Sequence, residues 1–207
     1  MAPAWPVLCH PARVALLPDT VRAESVELRR WRPAFAEGLC AAVADSLPEL
    51  RPWMPWAQEE PTVERLVALL AEGDGAFEAG TEWQFVMVEA DGERVVGATG
   101  LHLRHGPGTV EIGYWVRSDA THQGFATMAS RALTTAVFSH LDDIDEVEIR
   151  MDAANRRSAA VPSRLGFHLS GEVDREIEAP GQSGRWMVWV MTRGDWDPSG
   201  RSARHTP

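Results

Sequence analysis

Cysteine is scarce, with Cys9 and Cys40 the only two in the chain. They have no metal-type spacing and cannot build a disulfide framework, which suits a reducing cytoplasm. Basic residues are outnumbered: 20 Lys and Arg face 30 Asp and Glu, a formal net charge of −10. A field of that sign repels a phosphate backbone, so a nucleic-acid partner is not expected and an amine-bearing one is favoured. No apolar run approaches the ~18 to 20 residues that cross a bilayer, and the start at Met1-Ala2-Pro3-Ala4-Trp5-Pro6 lacks the basic and apolar regions of a secretory signal. A membrane or secreted protein is therefore not expected. Tyrosine is almost missing too, one against nine tryptophans.

What is present is enough for one sizeable core: 207 residues, 44% of them hydrophobic. Pro3, Pro6, Pro11 and Pro18 mark residues 1–23 as an irregular lead-in, residues 24–194 read as the domain, and the polar residues 195–207 read as a disordered tail. Within the domain, alternation from Val26 predicts a strand. Pro33 opens a helix with Phe35, Leu39, Ala42 and Val43 at helical spacing, fading near Leu47-Pro48. Leu50-Arg51-Pro52-Trp53-Met54-Pro55-Trp56 should be irregular. A second helix starts at Thr62 and is expected to end at Gly73 and Gly75. Three sequential antiparallel strands follow over 83–88, 95–101 and 110–116, then a helix after Gly124, a strand over 147–151, a helix from Asn155 to Leu165-Gly166, and a hairpin of 168–177 with 185–192. This order predicts a mixed α/β (α+β) sandwich around one sheet.

Chemistry is concentrated between Glu111 and Phe167. A strand ending at Val116-Arg117 feeds a short loop and then Gly124-Phe125-Ala126-Thr127 at a helix start. Unpaired N–H groups and the positive end of a helix dipole meet there, the arrangement that holds a pyrophosphate, although a glycine at a helix start also serves turn geometry alone. Asn155 and Ser158 lie one turn apart, where an Asn is a common helix cap. Glu111, Gly113 and Trp115 share one strand face, and Glu111 there reads either as a base or as an ordinary strand charge. His102 and His105 flank a turn without companions and read as satisfied or exposed side chains, so no metal is expected. Trp53, Met54 and Trp56 suit either a core lid or a wall for an amine acceptor, and the stretch 186–191 suits a buried strand or a homodimer seam.

Three runs in order, Glu111-Ile112-Gly113-Tyr114-Trp115-Val116-Arg117, His122-Gln123-Gly124-Phe125-Ala126-Thr127, and residues 155–167 from Asn155-Arg156-Arg157-Ser158 to Leu165-Gly166-Phe167, resemble the GNAT superfamily of acyl-CoA-dependent N-acyltransferases, and within it the ribosomal-protein N-acetyltransferase (RimJ/RimL-like) branch. The likeness runs from Val26 to about Thr192 and includes the Trp53–Trp56 loop. It implies a three-layer GNAT-like sandwich around one mostly antiparallel mixed sheet, acetyl-CoA or another acyl-CoA as cosubstrate, no metal, and an amine acceptor attacked directly in a ternary complex.

The resemblance also assigns residues. Val116, Arg117, His122, Gln123, Gly124, Phe125, Ala126, Thr127, Asn155 and Ser158 would hold CoA, with the Val116 N–H facing the thioester oxygen. Thr121 departs from the basic or amide residue that opens the family's pyrophosphate loop. Glu111 would be the base, because the alternative position on the strand before Asn155 is Arg150. Pro162 stands where many relatives carry a tyrosine that protonates the leaving CoA, which leaves Ser158 or water for that task. Trp53 and Trp56 would border the acceptor. A GNAT-like module that binds acyl-CoA without turnover is the alternative reading.

Overall fold

The computed structural model describes residues 17–198. Strands β1 (Thr20–Ala23) and β2 (Val26–Arg30) form a hairpin, so the last four residues of the segment expected to be irregular are a strand. The pattern Val26, Leu28, Arg30 inward explains β2, and β1 finds its partner in β2's otherwise open edge. After a 3-10 turn at Pro33–Phe35 come α1 (Ala36–Ala44) and the short α2 (Leu47–Leu50), with Pro48 tolerated in its first turn. A second 3-10 turn, Pro55–Gln58, carries Trp56.

Helix α3 (Val63–Ala79) is capped by Thr62, whose hydroxyl accepts the Arg65 N–H at 3.3 Å. It runs through Gly73 and Gly75 and stops at Gly80, left-handed at φ 66°. The expected stop at Gly73 is corrected by packing: a Cβ there would stand 2.6 Å from the Trp31 ring, so the glycine makes room for the indole.

Strands β3 (Glu82–Glu89), β4 (Val95–His102) and β5 (Thr109–Val116) form the predicted meander, followed by α4 (Phe125–His140), β6 (Glu146–Asp152), α5 (Arg156–Arg164), β7 (His168–Asp174) and β8 (Arg185–Thr192). The strand expected to reach Ile177 ends at Asp174, where pairing with Arg185 closes the ladder. The eight strands lie in the order β1-β2-β3-β4-β5-β6-β8-β7, antiparallel throughout except for β5 beside β6.

Both faces of the central strands are covered. Val86, Val88, Val95 and Ala98 pack under α1 and α3, while Phe85, Met87, Val96, Leu101, Val110 and Ile112 face α4. Burial on both faces explains why β3 and β4 read as nearly unbroken apolar runs. Trp196, in the segment expected to be disordered, packs on the α4 layer and donates to the Thr135 hydroxyl at 3.2 Å. The rest of the expected lead-in and tail, residues 1–16 and 199–207, lies outside the described residues.

Candidate active site

The parallel ladder between β5 and β6 is short. It pairs Thr109 with Glu146, Val110 with Val147 and Glu111 with Glu148, and then stops, although β5 continues to Val116 and β6 to Asp152. The strands therefore splay into a wedge whose edges carry main-chain groups without a sheet partner. On its other side β5 stays paired with β4 up to Val116, and the Arg117 N–H donates to the Val96 carbonyl at 2.8 Å. Successive N–H groups of a strand alternate sides, so the Val116 N–H is directed into the wedge.

At the wedge mouth the chain turns through a 3-10 turn, Ser118–Ala120, into α4. His122 and Gly124 are left-handed, at φ 65° and 85°, and such residues build concave turns of N–H groups that hold anions. The first turn of α4 has no acidic residue, and a Cβ at Gly124 would meet only the Met128 methyl at 3.8 Å. Space, donors and dipole at this helix start all fit a pyrophosphate. The Phe125 ring is buried in the core and anchors the helix start, while Ala126 and Thr127 offer N–H groups that α4 itself leaves unpaired. Arg117 pairs its guanidinium with Asp45 at 2.5 Å and Asp119 at 3.0 Å, tying the end of β5 to α1.

The far side of the wedge is built by α5. Asn155 caps it, its side chain accepting the Ser158 N–H at 3.2 Å. The Tyr114 hydroxyl reaches across from β5 to lie 3.0 Å from the Ser158 carbonyl and 3.1 Å from its Oγ. Burial pushes the Tyr114 pKa well above the ordinary phenol range, against the smaller lowering from Ser158, so the group stays protonated. Asp152, which ends β6, is buried and accepts from the N–H groups of Ala154, Ser183 and Gly184 and from the Ser183 hydroxyl, at 2.8–3.1 Å. Burial alone would raise its pKa, but these four hydrogen bonds outweigh it and hold the carboxyl below its usual range.

On the α1–α3 face of the sheet the register aligns four titratable side chains in one row: Glu82 opposite His102, His102 opposite Glu111, and Glu111 opposite Glu148. Glu111 is buried, with His105 Nε2 2.7 Å from its Oε2. Glu148, also buried, takes the Arg150 Nε at 2.7 Å. Glu111 is therefore a strand carboxylate with a histidine partner, on the α1–α3 face of the sheet. Farther along this face Trp115 meets Trp56, with ring centroids 6.0 Å apart. Trp56 is 48% exposed, which removes the core-lid reading for that residue. Trp53 is positioned through its carbonyl, which accepts from Gln182 at 3.0 Å, and the neighbouring Pro52 carbonyl accepts the Gly181 N–H at 2.8 Å.

Sequence reasoning missed the partners of the two histidines, the position of Glu148 beside Glu111, and the 181–184 loop as a brace for the tryptophan loop. Only one signal pointed to them: two histidines flanking the turn before Glu111. Among the described residues no cluster of side chains fits a metal ion, and no helix is long and apolar enough to cross a membrane.

Comparison with known proteins agrees with this geometry. YdaF of Bacillus subtilis (strain 168), which carries the name of a ribosomal N-acetyltransferase, is 30% identical over 87 residues, 42% of this chain and 47% of that protein, so the match spans about half of the relative. The structure of RimJ from Mycobacterium smegmatis in complex with CoA-disulfide superposes with a TM-score of 0.73 at 25% identity, over 84% of this chain and 85% of that one. RimL, a ribosomal L7/L12 α-N-protein acetyltransferase solved with CoA, gives 0.74 at 19% identity over 86% and 97%, which is a likeness of fold. Residues 25–168 match the acetyltransferase (GNAT) domain. Because that match runs from β2 through α5 and so takes in both splayed strands and both helix starts around the wedge, the chain belongs to the GNAT acetyltransferase family.

Proposed function

We propose that this chain moves an acetyl group, or another acyl group, from acyl-CoA to a primary amine of a protein N-terminus, a peptide or a small molecule. The observation that carries this reading is the β5–β6 ladder that stops at Glu111 and Glu148 while both strands continue. An extended pantetheine arm can pair with such open strand edges as a further strand would. The pyrophosphate would rest on the main chain of His122, Gln123, Gly124, Phe125, Ala126 and Thr127, with Asn155 and Ser158 along the arm. The Val116 N–H would then meet the thioester oxygen and stabilise the negative charge that grows on it as the amine attacks.

The amine must lose a proton before or during attack. Glu111 supplies the carboxylate for this, acting across intervening groups, because five residues of strand put its Cα about 16 Å from that of Val116. Departing CoA needs little help, since a thiol of pKa ~8.5 leaves readily. The Ser158 hydroxyl is the nearby donor. Trp53 and Trp56, with Trp115, would present aromatic faces to the cationic acceptor. The net charge of −10 supports an amine rather than nucleic acid as partner, and the scarcity of cysteine supports a cytoplasmic setting. A homodimer, if formed, would use the exposed sheet edge β7, because the stretch 186–191 is β8, which is paired on both sides within the sheet.

Release of free CoA from acetyl-CoA, measured with α-amino peptides, polyamines and amino acids as acceptors, tests the reading. Acceptor-dependent release with an acetylated product is the expected result. Tight acetyl-CoA binding with no release over the whole series would instead mark a binding module.

A further inference from the structure

We infer that His102 is the group that takes the proton from the acceptor amine, with Glu82 as the carboxylate that holds the resulting imidazolium. This rests on the amine-acylation reading above and names a group that stands between Glu111 and Val116, on the sheet face of Glu111.

The first observation is position. His102 ends β4 directly opposite Glu111, so both side chains leave the sheet on the α1–α3 face. The ring does not stay beside Glu111. It leans along the strand toward the wedge, with Nε2 3.6 Å and Cδ2 3.8 Å from where a Cβ on Gly113 would stand. Glycine at 113 leaves that space free. Gly113 is three residues from Val116, about 10 Å of strand against about 16 Å from Glu111, so the imidazole closes much of the distance that the carboxylate cannot. A short chain of waters would carry the proton across the remainder.

The second observation is the set of partners. Nδ1 lies 3.2 Å from Glu82 Oε1, and Nε2 lies 3.5 Å from the Gln84 amide nitrogen. Arg104 Nη2 is 3.1 Å from the same Nδ1. With the proton on Nδ1, the ring donates to Glu82 and its Nε2 accepts from the Gln84 amide, with one mismatch at Arg104; the other tautomer would accept from Arg104 but lose the donation to Glu82 and set two donors against each other at Nε2. The partners therefore assign Nδ1–H. A carboxylate on one nitrogen and, on the other, a lone pair that meets only the long 3.5 Å Gln84 contact is the arrangement of an imidazole base.

The third observation is charge. Groups that meet the ring are Glu82 and Gln84 from β3 and Arg104 from the turn, while Glu111 stands opposite His102 in the register of β4 and β5 with its carboxylate on His105. The Glu82 carboxylate is the acidic group placed on the ring nitrogen opposite the one that would take the proton. In the transfer, one N–H bond of the ammonium breaks as Nε2–H forms and the freed lone pair makes the C–N bond; as the C–S bond then breaks, the second proton leaves the nitrogen and passes through Ser158 or water to the CoA sulfur, which keeps the C–S electron pair. The imidazolium returns its proton to water when the product departs.

The test uses acetyl-CoA and an α-amino peptide that the wild-type chain acetylates, with kcat/KM followed from pH 5 to 9. His102→Asn keeps a donor for Glu82 but has no second nitrogen, and His102→Gln is its companion. Both should lower kcat by about 10²-fold and remove the ionisation seen between pH 5 and 8, with the KM for acetyl-CoA and the melting temperature unchanged. A merely structural histidine would be rescued by His102→Asn. Wild-type rates and an unaltered pH profile in either variant overturn the inference alone. Absence of transfer to any amine by the wild-type chain overturns the acylation reading and this inference with it.

Discussion

Tyr114 donates its hydroxyl proton to the Ser158 carbonyl at 3.0 Å, and that carbonyl is the one left without a helical donor by Pro162. In an unbroken helix residue 162 would donate to residue 158, four positions earlier, but proline has no N–H. The lone tyrosine thus repairs a gap in α5 from a neighbouring strand and bridges the two sides of the wedge. Its hydroxyl is also 3.1 Å from Ser158 Oγ, so one contact fixes both the helix turn and the side chain expected along the CoA arm.

Tyr114→Phe should therefore destabilise the fold by about 1–3 kcal/mol, the cost of leaving a desolvated carbonyl unpaired. Pro162→Ala restores the missing N–H, so the tyrosine substitution should cost much less in that background. Melting of the two single variants and the double variant measures this coupling, and strict additivity would show that the two residues act independently.

Gly124→Glu should weaken CoA binding by about tenfold or more, through a side chain at a left-handed position and a negative charge facing a phosphate. The same charge at a helix N-terminus favours the unliganded helix, so melting without CoA should fall less than the affinity does. Calorimetry on the variant decides: an unchanged Kd would move the pyrophosphate elsewhere.

Much of the layout was legible because its signals are local. Alternation located the strands, and Asn155, Gly124 and Gly166 marked helix ends that the structure keeps. The misses came from tertiary packing. Gly73 looked like a helix stop because propensity cannot show that Trp31 needs the space. Thr20–Ala23 looked irregular because an edge strand takes its shape from its partner. The row Glu82, His102, Glu111 and Glu148 draws its members from four strands, so no spacing in the sequence announces it.

Glu111→Gln should lower turnover by roughly 10²–10⁴-fold, the usual contribution of general-base catalysis, and leave the affinity for CoA nearly intact. Because His105 is bound to the same carboxylate, the amide keeps a partner and the fold should survive. Near-wild-type turnover at neutral pH would reduce Glu111 to a structural ion pair.

Trp56→Ala separates acceptor from donor binding. The side chain is 48% exposed and rests on Trp115, so its removal should cost far less than the ~3–5 kcal/mol of a core aromatic. The acceptor KM should rise while that for acetyl-CoA stays constant. A large fall in melting temperature with an unchanged acceptor KM would return Trp56 to the core.

Asp152 makes the stability of this site depend on pH in a defined direction. Its carboxylate gathers the start of α5 and the 183–184 turn onto the end of β6, and the hydrogen bonds that hold it favour the ionised form, so its pKa is lower folded than unfolded. A depressed acid contributes stability that is fully present above the unfolded value, ~3.9, and is lost as the pH falls through the lower folded value. Asp152→Asn keeps one carbonyl acceptor but loses the charge and puts donors against the N–H groups of Ser183 and Gly184. The variant should melt below wild type at neutral pH, and the difference should shrink below about pH 4, where the unfolded wild-type chain begins to take up the proton, until the folded carboxyl protonates as well at still lower pH. Chemical denaturation from pH 2.5 to 7 reads this directly, and a wild-type advantage that stayed constant across that range would mean that packing, not the carboxylate charge, holds the 183–184 turn.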